Sequence, residues 1–355
     1  MLSRRAASTI PVFVNERRIA MKFKQSLLAL AVTGVLLSTN AMAEVNQVRI
    51  VKQYGLGFLP LMVMEDQKLV EKQAKAAGLG DVKGVYLTLS NPSAMNEGLL
   101  SGNLDVGTNG PPSVLTIWSR TKGTANEIKG MAGMITTPMW LNVNKPEIKS
   151  IRDFKPGDKI AVTSIKVSIP AIILQMAAAK EWGKENFAKL DPLTVSMSHP
   201  DAYAAFLSKR DITAHFTSPP YMYRELEQQG IHRILSSDDV MGGTTTFSMI
   251  YSSSKFHDAN PKTYKAVLTA FSEAVDFIEK NPKEAAQVYL RISGDKKSTQ
   301  EDIEKQIADK NLTFTTTPLN IKKYADFMYD VGSIKNKPDS WKDVFFPEVH
   351  DLKGS

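Results

Sequence analysis

Four stretches of this 355-residue chain join a β-rich apolar run to a helical one through Ser, Thr or Asn plus Pro: SNPSAMNE, NGPPSVL, KVSIPAII and TSPPYMY. Ser and Asn cap the free N–H groups of a helix's first turn, and Pro suits its first position. One such loop is ordinary capping. Four of them at the ends of successive strands have a second use, because in open α/β sheets the loops after strand C-termini line the ligand crevice. Helix N-termini in that place favour an anion. The residues singled out are Asn91, Asn109 and Gly110, which can present amide or backbone N–H donors; Ser164, Lys166 and Ser168 before a later helix; and Ser218 with Tyr221 at the next helix start. Lys166 is the best single cation for an anionic group. Tyr54, Gly57 and Phe58 sit in the first strand-to-helix turn, where glycine permits close backbone approach and aromatic rings can wall a pocket. Trp140, two residues after Pro138, is placed to close over a ligand. Each also has a plainer reading: turn chemistry for Asn and Gly, a solvated loop lysine, core aromatics.

Other chemistries find little support. There is no Gly-x-Ser-x-Gly elbow, no Gly-x-x-x-x-Gly-Lys phosphate loop and no His-Glu-x-x-His helix. His199, His215, His232, His257 and His350 are scattered without metal-ligand spacing, and His215, in an apolar strand, reads as a satisfied core histidine. Asp105 reads as a strand-end turn residue rather than a catalytic carboxylate. The chain has no Cys, which excludes disulfides, Cys-ligated metals, a thiol nucleophile and a lipidated N-terminal Cys. The expectation is therefore a binding protein with no catalytic residues, no metal and no cofactor.

The apparent basicity is local. Six of the 44 Lys and Arg and one of the 37 Asp and Glu fall in residues 1–43; without them 38 bases face 36 acids, a net +2. Nucleic-acid binding is therefore not expected. Residues 1–43 read as an export region. Met21-Lys22-Phe23-Lys24 is a basic start, Leu27 to Leu37 an apolar run, and Ala41-Met42-Ala43 a small-x-small cleavage site. Residues 21–43 thus form a signal peptide cut after Ala43, too short for a membrane span, with translation starting at Met1 or Met21.

The remainder alternates strands and helices. Gln47 to Lys52 is a strand, followed by a Gly turn and a helix ending near Gly78; VKGVYLTLS is a strand, SAMNEGLLSG a helix, Leu104 to Val106 a strand and PSVLTIWSRTKG a helix. After two apolar strands, IKGMAGMI and TPMWLNVN, the pattern restarts at DKIAV and runs through PAIILQMAAAKEWG, LTVSMS, DAYAAFLSKR, ITAHFTS, PPYMYRELEQQG and IHRILSS. A strand over Thr246 to Ser252 follows Gly242-Gly243, and the end is helical over Pro261 to Lys280, Pro282 to Arg291, Gln300 to Asp309 and Ile321 to Val331. This order predicts an α/β fold with mixed, mostly parallel sheets, and the restart predicts two lobes.

With these elements placed, GFLPLMVMEDQKLVEKQ, LLSGNLDVGTNGPPSVL, IRDFKPGDKIAV and NPKTYKAVLTAFSEAVDFIEKNPKEAA resemble, in order, the periplasmic substrate-binding proteins of nitrate, sulfonate and taurine ABC transporters, related to the pyrimidine-precursor-binding group. The resemblance spans Val48 to Asp330. It implies a two-lobed periplasmic-binding-protein fold of type II with two hinge crossovers, near Thr137–Leu141 and Gly242–Phe247. The lobes are then 44–140 with 246–355, and 141–245. It further implies a soluble periplasmic monomer that delivers a small organic anion, sulfonate, taurine-like or another organic acid, to an ABC transporter permease. The family often has Gly-Ser after the strand at Ile160–Val162 and a Trp or acidic residue before Pro219, where this chain has Thr163-Ser164-Ile165-Lys166-Val167-Ser168 and Thr217-Ser218. The substrate is therefore not carried over. The alternative is an enzyme on the same fold, a pyrimidine-precursor synthase-like protein or a periplasmic hydrolase; a sensor docking to a signalling receptor is a third option.

Overall fold

Val48, Ile50 and Val51 are fully buried along the first strand, β1 (Gln47–Lys52), which sits inside a six-stranded sheet. The structure is a computed structural model and describes residues 43–355; the export segment 21–43 lies outside the described residues except for Ala43. After β1 the chain turns at Gly55, with a φ of 107° that only glycine adopts freely, into α1 (Leu59–Asp66). The single helix expected to reach Gly78 is in fact two, because Lys68 takes a left-handed φ of 51° and α2 (Leu69–Ala76) starts after it. Next come β2 (Lys83–Thr88), α3 (Pro92–Leu100), β3 (Val106–Asn109), α4 (Pro111–Thr121) and β4 (Ile128–Thr136). The third strand begins at Val106, later than expected, because Asp105 is held aside by Arg49. Its carboxylate accepts the Arg49 backbone N–H at 2.7 Å and the guanidinium at 2.9 and 2.7 Å.

Residues 137–139 carry the chain into a five-stranded sheet through β5 (Trp140–Val143). There follow β6 (Ile160–Val162), α5 (Ile169–Trp182), β7 (Thr194–Ser196), α6 (His199–Leu207), β8 (Ala214–Thr217), α7 (Tyr221–Leu226), β9 (His232–Ser236) and α8 (Ser237–Met241). Gly242 and Gly243, at φ 68° and 139°, bring it back to the first sheet as β10 (Thr246–Ser253). The first crossing is tied to the start of α8: Met139 N–H donates to Ser237 Oγ and Ser237 N–H to the Met139 carbonyl, both at 2.9 Å. The end of the chain adds α9 (Ser254–Ala259), α10 (Pro261–Lys280), α11 (Pro282–Ser293), α12 (Gln300–Ile307), β11 (Thr313–Phe314) and α13 (Ile321–Asp330).

The sheet orders are β11-β4-β10-β3-β1-β2 and β7-β6-β8-β5-β9. Pairing is parallel through β2-β1-β3 and β7-β6-β8, as expected of β–α–β units. It is antiparallel at β10 and β5, because these strands enter their sheets from the crossing side. The mixture is thus more even than the repeated β–α order suggested. Among the described residues no helix is long and apolar enough to cross a membrane.

In the core, α10 turns a stripe of Tyr264, Val267, Phe271, Ala274 and Ile278 inward at the three-to-four-residue spacing of one helix face. Its N-terminus is closed from far away in sequence: the Glu44 carboxylate accepts the Lys262 N–H at 3.1 Å and the Thr263 N–H at 2.6 Å.

Candidate ligand-binding cleft

The C-terminal ends of β1, β3, β6 and β8 face one another across the gap between the sheets, where the crossing segments form the back wall. The gap has two chambers. The inner one, about 30 Å³, has Gln53, Phe58, Asn109 and Gly110 on the side of the six-stranded sheet and Ser168, Ile169 and His199 on the other. The outer one, about 420 Å³, gathers the rings of Tyr54, Tyr203, Tyr221 and Tyr289 with the cations Lys52, Arg224, Lys296 and Lys297 and the carboxylate of Asp295. Gln53 belongs to both. The inner chamber admits one water-sized group, so only the outer one has room for a small organic molecule in this conformation.

Of the residues singled out in the sequence, Phe58, Asn109, Gly110 and Ser168 line the inner chamber and Tyr54 and Tyr221 the outer. Asn109 is fully engaged by protein. Its Nδ2 donates to Tyr251 Oη at 2.6 Å and to the Pro92 carbonyl at 3.3 Å, while its Oδ1 accepts from Gln53 Nε2 at 3.1 Å. Gly110 and Gly57 serve packing: a Cβ on Gly110 would lie 2.3 Å from Ile169 Cδ1 across the cleft, and one on Gly57 would lie 2.4 Å from the Phe247 ring. Asn91 caps α3, accepting the Ser93 and Ala94 N–H groups at 2.8 and 3.3 Å. Ser164 Oγ meets Ser93 Oγ across the gap at 3.3 Å, and Ser168 donates back to the Ser164 carbonyl at 2.6 Å. Ser218 is buried, and its carbonyl accepts the Met222 N–H at 3.1 Å to start α7. Trp140 packs edge-on against Tyr223, with the Arg233 guanidinium 4.8 Å from its ring, and lines neither chamber. Lys166 is exposed, at a left-handed φ of 66°, and lines neither chamber.

The capping pattern also departs from expectation. Only Asn91, of the four loops, makes a side-chain cap; Gly110, Ser168 and Pro220 occupy N-cap positions without one. Pro111 and Pro112 open α4, and Pro170 is second in α5, so these helix starts lack backbone donors that an anion would need. The positive character of the cleft comes from side chains instead. Lys52 is buried beside Glu65, and Arg224 is paired with Asp295 and bonded to Ser298.

The side chains that sequence reading missed are Gln53, Arg224, Tyr203, Tyr289 and, above all, His199. His199 Nδ1 lies 3.0 Å from His215 Nε2, and His215 Nδ1 lies 2.6 Å from Glu225 Oε1; Glu225 Oε2 accepts from Asn142 Nδ2 at 2.9 Å. His199 is 7% exposed, His215 1% and Glu225 0%. Burial, then the adjacent His215, pushes the His199 pKa well below the usual histidine range. The Tyr221 ring stacks on His199 with centroids 5.8 Å apart, and burial raises its hydroxyl to about 12. The available signal was a glutamate and a histidine at otherwise apolar positions of α7 and β8. Periodicity does not reveal that they meet.

A family model described as NMT1/THI5 like matches residues 75–285, more than half of the chain. The chain belongs to the NMT1/THI5-like family. No curated protein matches it. Among solved structures, it is similar to the alkanesulfonate-binding protein SsuA from Xanthomonas axonopodis pv. citri bound to MOPS, at 18% identity and TM-score 0.65, covering 88% of this chain and 100% of that one. It is also similar to the periplasmic nitrate-binding protein NrtA from Synechocystis PCC 6803, at 16% identity and TM-score 0.65, covering 85% of each chain. A third neighbour is the Candida albicans CA3427 gene product, which has the generic periplasmic binding protein fold, at 14% identity and TM-score 0.63 over 84% of this chain and 96% of that one. At these identities the likeness is one of fold, and the fold is the mixed α/β binding-protein architecture expected from the sequence.

Proposed function

We propose that this NMT1/THI5-like chain is an exported solute-binding protein that delivers a small organic anion to an ABC importer. The observation that carries this reading is the outer chamber: four tyrosine rings and four cations against one carboxylate, drawn from both sides of a cleft. Aromatic walls with a few placed charges suit an organic anion of modest size. The NMT1/THI5-like match and neighbours whose names state alkanesulfonate or nitrate binding agree with it. Binding makes and breaks no bond. It closes two lobes, 44–140 with 246–355 against 141–245, about the crossings near residues 137–141 and 242–247. The protein acts as a periplasmic monomer after loss of the signal peptide 21–43, and its partner is a permease.

The test is a thermal-shift screen of the purified protein with alkanesulfonates, nitrate, aromatic carboxylates and thiamin precursors, followed by small-angle scattering. A ligand at a hundred times its Kd adds about 2.7 kcal/mol of apparent stability, a readily measured shift. The expected result is an organic anion that raises the melting temperature and lowers the radius of gyration. Stabilisation by cationic compounds alone is incompatible with the proposal.

A further inference from the structure

His199 ends a buried chain of two hydrogen bonds, to His215 and on to Glu225, and its Nε2 has no hydrogen-bond partner among the described residues although the ring lines the inner chamber. The far end of the chain is closed, because Asn142 Nδ2 already donates to Glu225 Oε2. Counting protons then decides what the cleft sees. Two hydrogen bonds need two protons. With only those two, each imidazole carries its proton on Nδ1, His199 Nδ1–H donates to His215, His215 Nδ1–H donates to Glu225, and His199 Nε2 is a bare acceptor. A third proton has one place where it does not break the chain, His199 Nε2. The two shared protons can then lie nearer either partner, but the group facing the cleft has become a donor.

We propose that His199 sets the polarity of the cleft floor through this chain, so that an anionic ligand is bound together with one proton. The proposal rests on reading the cleft as an anion site. An anion oxygen facing a bare Nε2, with an unneutralised Glu225 carboxylate behind it, meets a lone pair and a like charge in a poorly solvated place; with the third proton it meets a donor and a neutral chain. Burial and the second imidazole both disfavour the third proton, which keeps the chain in its two-proton form until an anion arrives. His199 is also the first residue of α6, where the helix end disfavours a cation. The titratable and charged groups around it are few. Tyr221 stacks on it and Tyr203 leans on Tyr221, both with hydroxyls raised by burial; Asp201 lies on its own helix, and Arg224 comes from α7 already paired with Asp295. Beside His215 the neighbouring strands place Ala161 and Asn142, neither titratable.

The chain makes a prediction about Glu225→Gln that differs from simple damage. Asn142 continues to donate to the remaining oxygen, so the new amide N–H₂ faces His215 Nδ1 and reverses both hydrogen bonds. His199 then carries Nε2–H with only two protons present, and anion binding no longer takes up a proton.

The experiment has two arms. Nitrogen-15 NMR of histidine-labelled protein at pH 8 should show His199 and His215 as Nδ1–H tautomers, and both as Nε2–H in Glu225→Gln. Calorimetry with nitrate and with methanesulfonate, in buffers of different ionisation enthalpy, should show uptake of about one proton per anion, with affinity falling about tenfold per pH unit once the chain is in its two-proton form. Uptake should vanish in Glu225→Gln and, should that variant fail to fold, in His199→Gln, whose amide cannot titrate. An Nε2–H tautomer at His199 in the parent protein, or anion binding without proton uptake, overturns the proposal. If neither anion binds, the anion reading of the cleft falls with its proton linkage, while the NMR arm still decides whether Glu225 orients the two imidazoles.

Discussion

At the scale of the residue, the difference between a polar group that is present and one that is available decides which side chains serve the cleft. Asn109 is the clearest case. Its amide is used up by Tyr251, Pro92 and Gln53, and Tyr251 Oη in turn donates to Asn96 Oδ1 at 2.7 Å. Asn109→Ala is therefore expected to cost stability, about 1–3 kcal/mol for partners left unpaired in a buried place, measurable by chemical denaturation. Lys166 is the opposite case. It is exposed and lines neither chamber, so Lys166→Met should leave both the melting temperature and anion affinity nearly unchanged. An affinity loss of tenfold in calorimetry would return that lysine to the site. Loops rich in Asn, Ser, Gly and Pro are legible in a sequence as crevice loops, and six of the twelve residues picked from them do line the chambers. Which amide is already spent is not legible, because its partners come from 17 and 142 positions away.

Elements show the same division. Strands and helices were readable because their apolar periods are strong, and α10 begins and ends where the pattern places it. The break at Lys68 was hidden because nothing in the period marks a left-handed lysine. The meeting of α6, α7 and β8 that builds the histidine chain was hidden because it depends on packing between elements. Close approach of α4 and α5 is similarly invisible until the backbones are seen together. A methyl group on Gly110 has no room beside Ile169 and the Phe247 carbonyl, which lies 3.1 Å from the Cβ position. Gly110→Ala should wedge the cleft open, weakening anion binding and lowering stability by about 1–3 kcal/mol, the usual cost of overpacking. The N-terminus of α10 offers a pH test. Burial works against the charge on Glu44, but the hydrogen bonds from Thr263 and Lys262 outweigh it and hold its pKa below the usual range. A carboxylate lowered in the folded state stabilises above its unfolded pKa, and that contribution disappears as acid protonates the folded group. Glu44→Gln should therefore lower the melting temperature at pH 7, with the gap from the parent protein closing below about pH 4.

Across the whole molecule, the two halves are held in contact at several separate points. Arg224 reaches Asp295, Leu56 N–H donates to the Pro219 carbonyl at 3.2 Å, and Lys184 pairs with Asp330 at 3.0 Å. Burial opposes the charge on Asp295, yet the Lys297 backbone N–H and the Arg224 guanidinium bring its pKa down. By the same sign rule this tie holds at neutral pH and is lost in acid. Arg224→Ala should give a larger radius of gyration by small-angle scattering at pH 7, and the parent protein should approach that value below about pH 4. The crossings add a mechanical consequence. Two independent tethers would allow the halves to twist, slide and tilt separately. Because Met139 and Ser237 exchange hydrogen bonds in both directions, the first tether is fixed to the start of α8, the helix that leads into the second, and the two leave essentially one axle for the movement. For the solute-binding protein proposed above, opening would then be a single coordinate, traversed in the same way whichever solute is held, and a partner reading the closed form would meet one shape rather than a family of shapes. Ser237→Ala removes one of the two bonds; single-molecule distance measurements between dyes on the two halves should then show a broadened open state with the closed distance unchanged.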